Sequence, residues 1–444
     1  MARPNFVIKR DGAIVPFEQL RITNAIFRAA ISVGGRDKSV AEDLSDQVVE
    51  ILKKRDKKEE YPTVEEIQDI VEKVLIENGH AKVAKAYILY REERKQRREA
   101  EKTSISPRSD YLPWEKMWKV LDWSVEHDLN TIEKINHRIA NGETAQIVAE
   151  SEEAFNQEIQ AVVDYVLPRK RDLRIVIIAG PSSSGKTTTT RKIARNLTEK
   201  GLHFVEMNMD NYYFDLEVHP QDEFGDYDFE TPQALDISLI NQHLNELLSG
   251  KEVLIPYYDF GQGKRFLDRT PMRIEKEDII LIDSLYGLYP PMMEGIGERK
   301  AKFYIEPLLQ IKDQHGDYIK WTDIRLMRRM LRDATHRAYD YEQTLTHWHY
   351  VRSGEKRSII PYIATADLIL NSGMPYELGL YNHKLLPNFR EWVSQYKEDP
   401  LRKDAYQRAA RVQELLESVA PVPDDTIIPK DSVIREFIGG LELG

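Results

Sequence analysis

The chain has 444 residues, of which 41% are apolar and 31% charged, so it can form two or three domains with packed cores. It has no cysteine, which excludes disulfides, thiolate zinc sites, iron–sulfur clusters and cysteine nucleophiles. The net charge of -11 argues against broad binding to nucleic acid, and no apolar run approaches the ~20 residues of a membrane span. The first five residues, Met-Ala-Arg-Pro-Asn, lack the apolar stretch that is typical of a signal peptide. We therefore expect a soluble, cytoplasmic protein that binds neither nucleic acid nor membranes.

Residues 1–102 are predicted to form a small helical domain that opens with a short β-hairpin. Apolar residues flank Arg10-Asp11-Gly12, and Asp-Gly is a strong signal for a two-residue hairpin turn. Apolar residues at helical spacing and a capping box then predict four helices. These are marked by Ile22, Ile26, Ala29 and Val33; by Val40, Leu44, Val48 and Ile51; by Thr63-Val64-Glu65-Glu66; and by Tyr87 and Tyr90.

Three further stretches differ in pattern. Residues 103–170 are predicted to be a helical connector, with Trp114, Trp118, Leu121 and Trp123 on an apolar side. In residues 171–374, apolar runs such as 175–179 and 279–282 alternate with helical segments, which favours a parallel α/β sheet flanked by helices. Residues 375–444 are predicted to be a helical extension that serves in packing or oligomer contact.

Residues 180–187, Gly-Pro-Ser-Ser-Ser-Gly-Lys-Thr, match the phosphate-loop pattern in full between a strand and a helix, and we call them the phosphate loop. Backbone N–H groups and the positive end of the helix form a cradle for anions. Lys186 reaches the β- and γ-phosphates, and the Thr187 hydroxyl is a Mg²⁺ ligand. The predicted ATP-binding residues are Gly180, Ser182, Ser183, Ser184, Gly185, Lys186, Thr187 and Thr188.

Phosphoryl transfer to an alcohol needs a carboxylate beside the acceptor oxygen, a second one near the metal, and arginines over the phosphates. Asp210 follows the second predicted strand, at the edge where ligands bind to such sheets. Asp283 ends the strand that begins at Ile279, where an acid bound to Mg²⁺ through water belongs. A later helix carries Arg325, Arg328, Arg329, Arg332 and Arg337. By itself, such a helix is more often a solvated, salt-bridged surface.

Together these residues resemble the uridine kinase and phosphoribulokinase family over roughly residues 173–372. Residues 210–213, Asp-Asn-Tyr-Tyr, are similar to the segment whose Asp is the family's catalytic base. Residues 227–236 resemble the stretch whose first Asp, here Asp228, holds the ribose hydroxyls. Residues 256–260 match Pro-x-Tyr-Asp-Phe, whose Tyr lies beside the base, and residues 325–333 resemble the arginine-bearing lid.

The resemblance implies a role for each matching residue. The residues expected to act in catalysis are Asp210, Lys186 and Arg332. Those expected to bind the acceptor are Tyr213, Asp228, Tyr258, Arg265, Arg329 and Arg337. Those expected to hold Mg²⁺ are Thr187, Asp210 and Asp283.

Some positions depart from the family pattern. Gly263 stands where the family has a pyrimidine-reading His, and Tyr339 stands at the second Arg of the lid's Arg-Gly-Arg. A later Gln falls near His347, and Asp283 replaces the usual Glu. The resemblance therefore implies phosphoryl transfer without implying uridine or cytidine as the acceptor.

The first hundred residues resemble an ATP-cone, the nucleotide-sensing domain of ribonucleotide reductases and their repressor. The match lies in residues 7–12, 15–17, 21–26 and 86–91. The residues expected to bind the effector are Val7, Lys9, Arg10, Gly12, Phe17, Arg21, Ile22 and Asn24. The chain cannot be a reductase or the repressor, because these need radical thiols and a zinc ribbon, and it has no cysteine.

These resemblances imply a P-loop kinase that uses ATP and Mg²⁺ to phosphorylate the 5′-hydroxyl of a pyrimidine nucleoside, with ATP or dATP as allosteric effector. Three alternatives stay open: a deoxynucleoside such as thymidine as acceptor, a sugar phosphate as in phosphoribulokinase, and a catalytically silent nucleotide sensor. Cones in relatives act by changing oligomeric contacts, which implies self-association.

Overall fold

The computed structural model describes residues 4–8, 14–31, 33–35, 37–54, 61–91, 112–219, 231–336, 340–399 and 402–442. The chain divides into two compact units, one of residues 1–109 with 214–229 and the other of residues 110–213 with 230–444. None of the helices in these ranges has the length and apolarity needed to cross a bilayer.

The first unit contains the predicted hairpin and helices. Strands β1 (Phe6–Ile8) and β2 (Ile14–Pro16) pair antiparallel, with Val7 opposite Val15, which confirms the hairpin strands. The helices are α1 (Gln19–Ile31), α2 (Lys38–Lys53), α3 (Val64–Glu77) and α4 (81–91). Their apolar faces form one core, to which Ile26, Val48 and Leu75 contribute fully buried side chains.

The predicted capping box opens α3. The Thr63 hydroxyl accepts from the Glu66 N–H at 3.2 Å, and the Thr63 N–H donates to the Glu66 carboxylate at 2.7 Å. Two valines that were predicted to lie on apolar helix faces are exposed instead. They are Val33, which lies after the end of α1, and Val40. Helical spacing therefore placed the helices correctly and overextended their apolar faces at the ends.

The second unit is built on a five-stranded parallel sheet. Its strands, with the separate antiparallel hairpin β5–β6, are β3 (Ile175–Ala179), β4 (His203–Glu206), β5 (Val253–Asp259), β6 (Lys264–Met272), β7 (Asp278–Ser284), β8 (Lys300–Glu306) and β9 (Leu368–Asn371). The sheet order is β4-β7-β3-β8-β9. Central β3 is buried along its whole length, as expected of a strand with both faces covered. The predicted α/β fold is confirmed.

Helices cover the sheet, and further helices precede its first strand and follow its last strand in the sequence. They are α5 (Trp114–Glu126), α6 (Ile132–Ala140), α7 (Thr144–Val166), α8 (Lys186–Thr198), α9 (Ile237–Leu248), α10 (Trp321–His336), α11 (Tyr341–Ser358), α12 (Glu377–Tyr396), α13 (Lys403–Ser418) and α14 (Arg435–Ile438). One core joins Val162 of α7, Val176 of β3 and Phe389 of α12. The predicted connector and C-terminal extension thus pack in the same unit as the sheet.

The tryptophans of α5 differ from the sequence prediction. Trp123 packs against the core, whereas Trp114 and Trp118 are 55% and 67% exposed. The buried residues of this helix are Val120 and Ser124. The prediction of a single apolar side therefore grouped residues that lie on two different faces of α5.

A buried ion pair joins α10 to α12. Arg328 donates two hydrogen bonds to the Glu377 carboxylate, at 2.7 and 2.9 Å, and neither side chain is exposed. Removing one partner of such a pair leaves an uncompensated buried charge.

We expect Glu377→Ala to lower the free energy of unfolding by about 3–5 kcal/mol. Urea denaturation followed by tryptophan fluorescence measures this, because every tryptophan of the chain lies after residue 110 and so reports on the second unit. The control is Glu417→Ala, which breaks an exposed pair with Arg390 and should cost less than about 1 kcal/mol. Equal losses in the two variants would contradict the prediction.

Candidate active site

The phosphate loop connects the buried end of β3 to the first turn of α8. Gly185 has a φ of +88°, in the left-handed region that favours glycine. A Cβ atom added to Gly180 would lie 2.3 Å from the Ile305 carbonyl oxygen, so a side chain there would clash with β8. Glycine is therefore required at the two positions for different reasons: the backbone conformation at Gly185 and the lack of space at Gly180.

The ammonium group of Lys186 interacts electrostatically with the other charged residues of the site. Its Nζ donates to the Pro181 carbonyl at 3.1 Å, and burial lowers the pKa of its ammonium group. The charges of Asp283 and Asp210 oppose that shift, and the charge of Arg332 adds to it. The structure thus brings together the four charged residues that the sequence predicted for this site.

Asp283 stands at the carboxyl end of β7, beside the loop. Its Oδ2 accepts from the Thr187 hydroxyl at 2.9 Å. Burial raises the pKa of this carboxyl to about 6, while Lys186 and the Thr187 hydrogen bond work against the rise.

The oxygen atoms of Thr187 and Asp283 suit Mg²⁺, which is usually held by one or two carboxylates together with substrate phosphates. A carboxylate whose charge is disfavoured by burial would also gain from a nearby cation. Within the ranges that the structure describes, no three His, Asp or Glu side chains cluster as a self-contained metal site. The Thr187 hydroxyl and the Asp283 carboxylate, two oxygen donors in contact, fit a metal that arrives with a phosphate ligand.

Asp210 is the second residue of a short turn, Met209–Tyr212, just after β4. The Asn208 side chain caps this turn by accepting from the Asp210 N–H at 2.9 Å. The Asp210 side chain is exposed to solvent, and its charge acts on both Lys186 and Asp283. It is therefore an accessible acid at the carboxyl edge of the sheet.

Three aromatic residues that follow Asp210 in the sequence form a cluster of rings. The ring centroid of Tyr258 is 5.6 Å from that of Tyr213 and 4.9 Å from that of Phe260. Tyr213 and Tyr258 are buried, whereas Phe260 is 61% exposed. Arg265 faces Tyr258 across the β5–β6 hairpin and forms an ion pair with Asp236 at 2.9 Å. The predicted acceptor residues Asp228 and Arg337 lie outside the described residues.

Four of the five predicted lid arginines, all except Arg337, lie on α10, and they divide into two groups. Arg325 and Arg328 are fully buried and paired with Glu355 and Glu377, so they cannot swing over a ligand. Arg329 donates to the Ser182 hydroxyl at 3.1 Å, and Arg332 is partly exposed near Lys186. The sequence motif alone did not distinguish the two groups.

Sequence reasoning missed one residue of the site. Glu436, in the short helix α14, accepts from the backbone N–H and the hydroxyl of Thr188 at 3.1 and 2.8 Å. Its charge also acts on Lys186 and Asp283. No motif or spacing links a position 248 residues away to the loop.

In the first unit, four of the five predicted effector residues that the structure describes are buried. These are Val7, Phe17, Ile22 and Asn24. Arg21 is partly exposed and pairs with Glu18 at 3.1 Å. The predicted effector residues Lys9, Arg10 and Gly12 lie outside the described residues.

The raised pKa of Asp283 predicts a pH-dependent stability. In the unfolded chain its carboxyl ionises near its usual value, so the ionised group costs folding free energy increasingly between about pH 4 and about pH 6, and the cost is complete above that range. Asp283→Asn keeps an oxygen acceptor for Thr187 and removes the charge. Without nucleotide or Mg²⁺, we expect it to raise Tm by ~2–4 °C at about pH 8 and by less at about pH 5.

The control for that experiment is Asp172→Asn, an exposed position in the turn before β3. Its Tm relative to the unmodified protein should not change between the two pH values. A gain for Asp283→Asn that is the same at both pH values would show that burial does not disfavour this charge.

Known proteins resemble the two units separately. A model of the phosphoribulokinase and uridine kinase family matches residues 175–377. The uridine kinase of Borrelia turicatae is 30% identical over 210 residues, which are 47% of this chain and 91% of that protein. The uridine kinase of Halobacterium salinarum is 28% identical over 197 residues, 44% of this chain and 79% of its own.

The N-terminal region has a different set of relatives. A model of the ATP cone domain matches residues 5–96. The vitamin B12-dependent ribonucleoside-diphosphate reductase of Thermoplasma acidophilum is 49% identical over 98 residues, 21% of this chain and 12% of that protein. Both predicted resemblances are therefore confirmed, and the chain belongs to the phosphoribulokinase and uridine kinase family of kinases, with an ATP cone domain before its kinase core.

Proposed function

We propose that this kinase transfers the γ-phosphoryl group of ATP to the 5′-hydroxyl of a pyrimidine nucleoside, and that ATP or dATP bound to the cone controls the rate. The observation that carries the proposal is the charge cluster of Lys186, Asp283 and Asp210 at the carboxyl edge of the sheet. Lys186 supplies the positive charge for the phosphates bound by the loop. Asp210 is exposed to solvent, where an acceptor can enter.

Asp210 is the proposed general base. The acceptor hydroxyl gives its proton to an Asp210 carboxylate oxygen as its own oxygen bonds to the γ-phosphorus. At the same time the bond from that phosphorus to the bridging oxygen breaks, and ADP leaves. Lys186 holds the β- and γ-phosphates, and Arg332 stabilises negative charge on the group in transfer. Mg²⁺, held by Thr187 and Asp283 together with Asp210, would neutralise phosphate charge when bound.

The buried tyrosines favour a nucleobase over a bare sugar phosphate. Tyr213 and Tyr258 offer ring faces and hydroxyls, which suit a flat heterocycle with polar edges. The named activity of the relatives, uridine phosphorylation, supports the same class of acceptor.

A deoxynucleoside such as thymidine is the second candidate acceptor. The observation that favours it is the cone's likeness to that of a ribonucleotide reductase, an enzyme of deoxynucleotide synthesis. In addition, Gly263 replaces the histidine by which the family reads pyrimidines, so the base pocket is altered.

Asp210→Asn tests the catalytic proposal. Purified full-length protein with MgATP is assayed for ADP release against nucleosides, deoxynucleosides and ribulose 5-phosphate, and we expect one nucleoside class to give turnover. The variant should lose ~10²–10⁴-fold in kcat and keep most of its affinity for MgATP, because asparagine retains an oxygen that can bind Mg²⁺ but cannot take the proton of the acceptor.

The control for this variant is Glu206→Gln, an exposed acid on the neighbouring strand β4, which should keep full turnover. Undiminished kcat in Asp210→Asn would show that another group takes the proton. Turnover with ribulose 5-phosphate alone would replace the nucleoside with a sugar phosphate, and MgATP binding without any turnover would indicate a sensor.

Lys9→Ala combined with Arg10→Ala tests the proposed regulation. We expect the effect of dATP on kcat to disappear while the rate without effector stays the same, because two cations that neutralise a triphosphate have been removed. The control is Lys82→Ala with Lys85→Ala, which removes the same charge from the exposed side of α4 and should leave the dATP effect intact.

The size of the protein in solution, measured with ATP and then with dATP, tests whether the cone acts through self-association. A dATP effect that survives in Lys9→Ala/Arg10→Ala would place the effector elsewhere.

A further inference from the structure

The segment 431–438 lies directly on the phosphate loop and α8. A Cβ atom added to Gly185 would lie 2.5 Å from Cγ2 of Val433, so the valine fills the space above that glycine. Asp431 pairs with the buried Lys192 of α8 at 3.2 Å. Phe437 is fully buried, with its ring 5.0 Å from the guanidinium of Arg328. This segment, which we call the C-terminal strap, therefore has a defined position against the nucleotide site.

The strap places a carboxylate on a donor that phosphate loops offer to anions. Thr188 is the third residue of α8, and the first N–H groups of a helix have no partner within the helix. Both the N–H and the hydroxyl of Thr188 donate to the same oxygen of Glu436. Thr188 is fully buried and Glu436 half-buried. The carboxylate thus holds two donors that a nucleotide phosphate would also need.

The loop nevertheless retains unused polar groups. The hydroxyls of Ser183 and Ser184 are buried, at 1% and 0% exposure, and have no hydrogen-bond partner in the structure. Buried hydroxyls usually have a hydrogen-bond partner, so these two remain available to one. The anion cradle is therefore only partly filled by Glu436.

We propose that Glu436 is a further residue of the nucleotide site, where its carboxylate occupies the place of a nucleotide phosphate on Thr188 and is displaced when MgATP or MgADP binds. The inference rests on the proposed ATP site. With Asp210 and Asp283, Glu436 makes three carboxylates around Lys186, and a polyphosphate entering the loop meets all three. Displacement of the Glu436 carboxylate relieves part of that repulsion, but breaking its two hydrogen bonds to Thr188 opposes nucleotide binding.

Glu436→Gln tests the proposal because it preserves the size of the side chain and removes its charge. The variant should bind MgADP about tenfold more tightly in titration calorimetry, because a charged hydrogen bond no longer competes for Thr188. The control is Glu442→Gln, whose side chain pairs with Lys430 at an exposed position near the strap and which should bind as the unmodified protein does. Unchanged or weaker binding in Glu436→Gln would show that Glu436 is a permanent helix cap and would overturn the proposal.

Hydrogen exchange on the unmodified protein gives an independent measurement if Glu436→Gln fails to fold. Amide groups of residues 434–438 should exchange faster when saturating MgADP is added, because the Glu436 carboxylate no longer ties this short helix to Thr188. The same or slower exchange with nucleotide bound would overturn the strap proposal alone. A protein that binds neither MgADP nor MgATP would overturn the proposed function as well.

Discussion

Two buried arginines hold the phosphate loop by its carbonyl groups, and the rest of the site depends on that attachment. Arg325 donates to the Ser182 carbonyl at 3.1 Å, while Arg328 donates to the hydroxyl of Ser372 at the same distance. Ser372 in turn donates to the carbonyl of Ser184 at 2.6 Å. Because the carbonyls of Ser182 and Ser184 are hydrogen-bonded to buried side chains, the backbone of the phosphate loop is held in place. Each guanidinium is compensated by a buried carboxylate, so the attachment is both charged and rigid.

The sheet and the phosphate loop could be predicted because their signals are local. A wholly apolar run such as 175–179 is characteristic of a buried strand, and the loop motif combines backbone, lysine and hydroxyl requirements within eight residues. Strand β8 was missed because lysines at positions 300 and 302 interrupt its apolar pattern. The β5–β6 hairpin was noticed as a motif and not as strands, since its outer face is exposed.

The difference between the buried and the partly exposed arginines of α10 could not be predicted, because it depends on partners distant in sequence. The arginine spacing is equally compatible with mobile and buried side chains, and only the positions of Glu355 and Glu377 show that Arg325 and Arg328 are fixed. Glu436 was missed for the same reason, as its partner Thr188 lies more than half the chain away. Local patterns therefore specify the chemistry of a loop, whereas long-range charge pairing determines which neighbouring side chains are fixed.

The core of the kinase unit is closed by contacts between its two ends. Glu152 of α7 accepts from the hydroxyl of Tyr376 at 2.7 Å and from that of Ser432 at 2.5 Å, and Ile434 is buried in the same core as Val162. A ribosome making this protein must therefore deliver the chain through residue 434 before the catalytic unit can fold completely. Until then the apolar surfaces of α7 and β3 stay partly uncovered, and protection by chaperones matters most at that stage of synthesis.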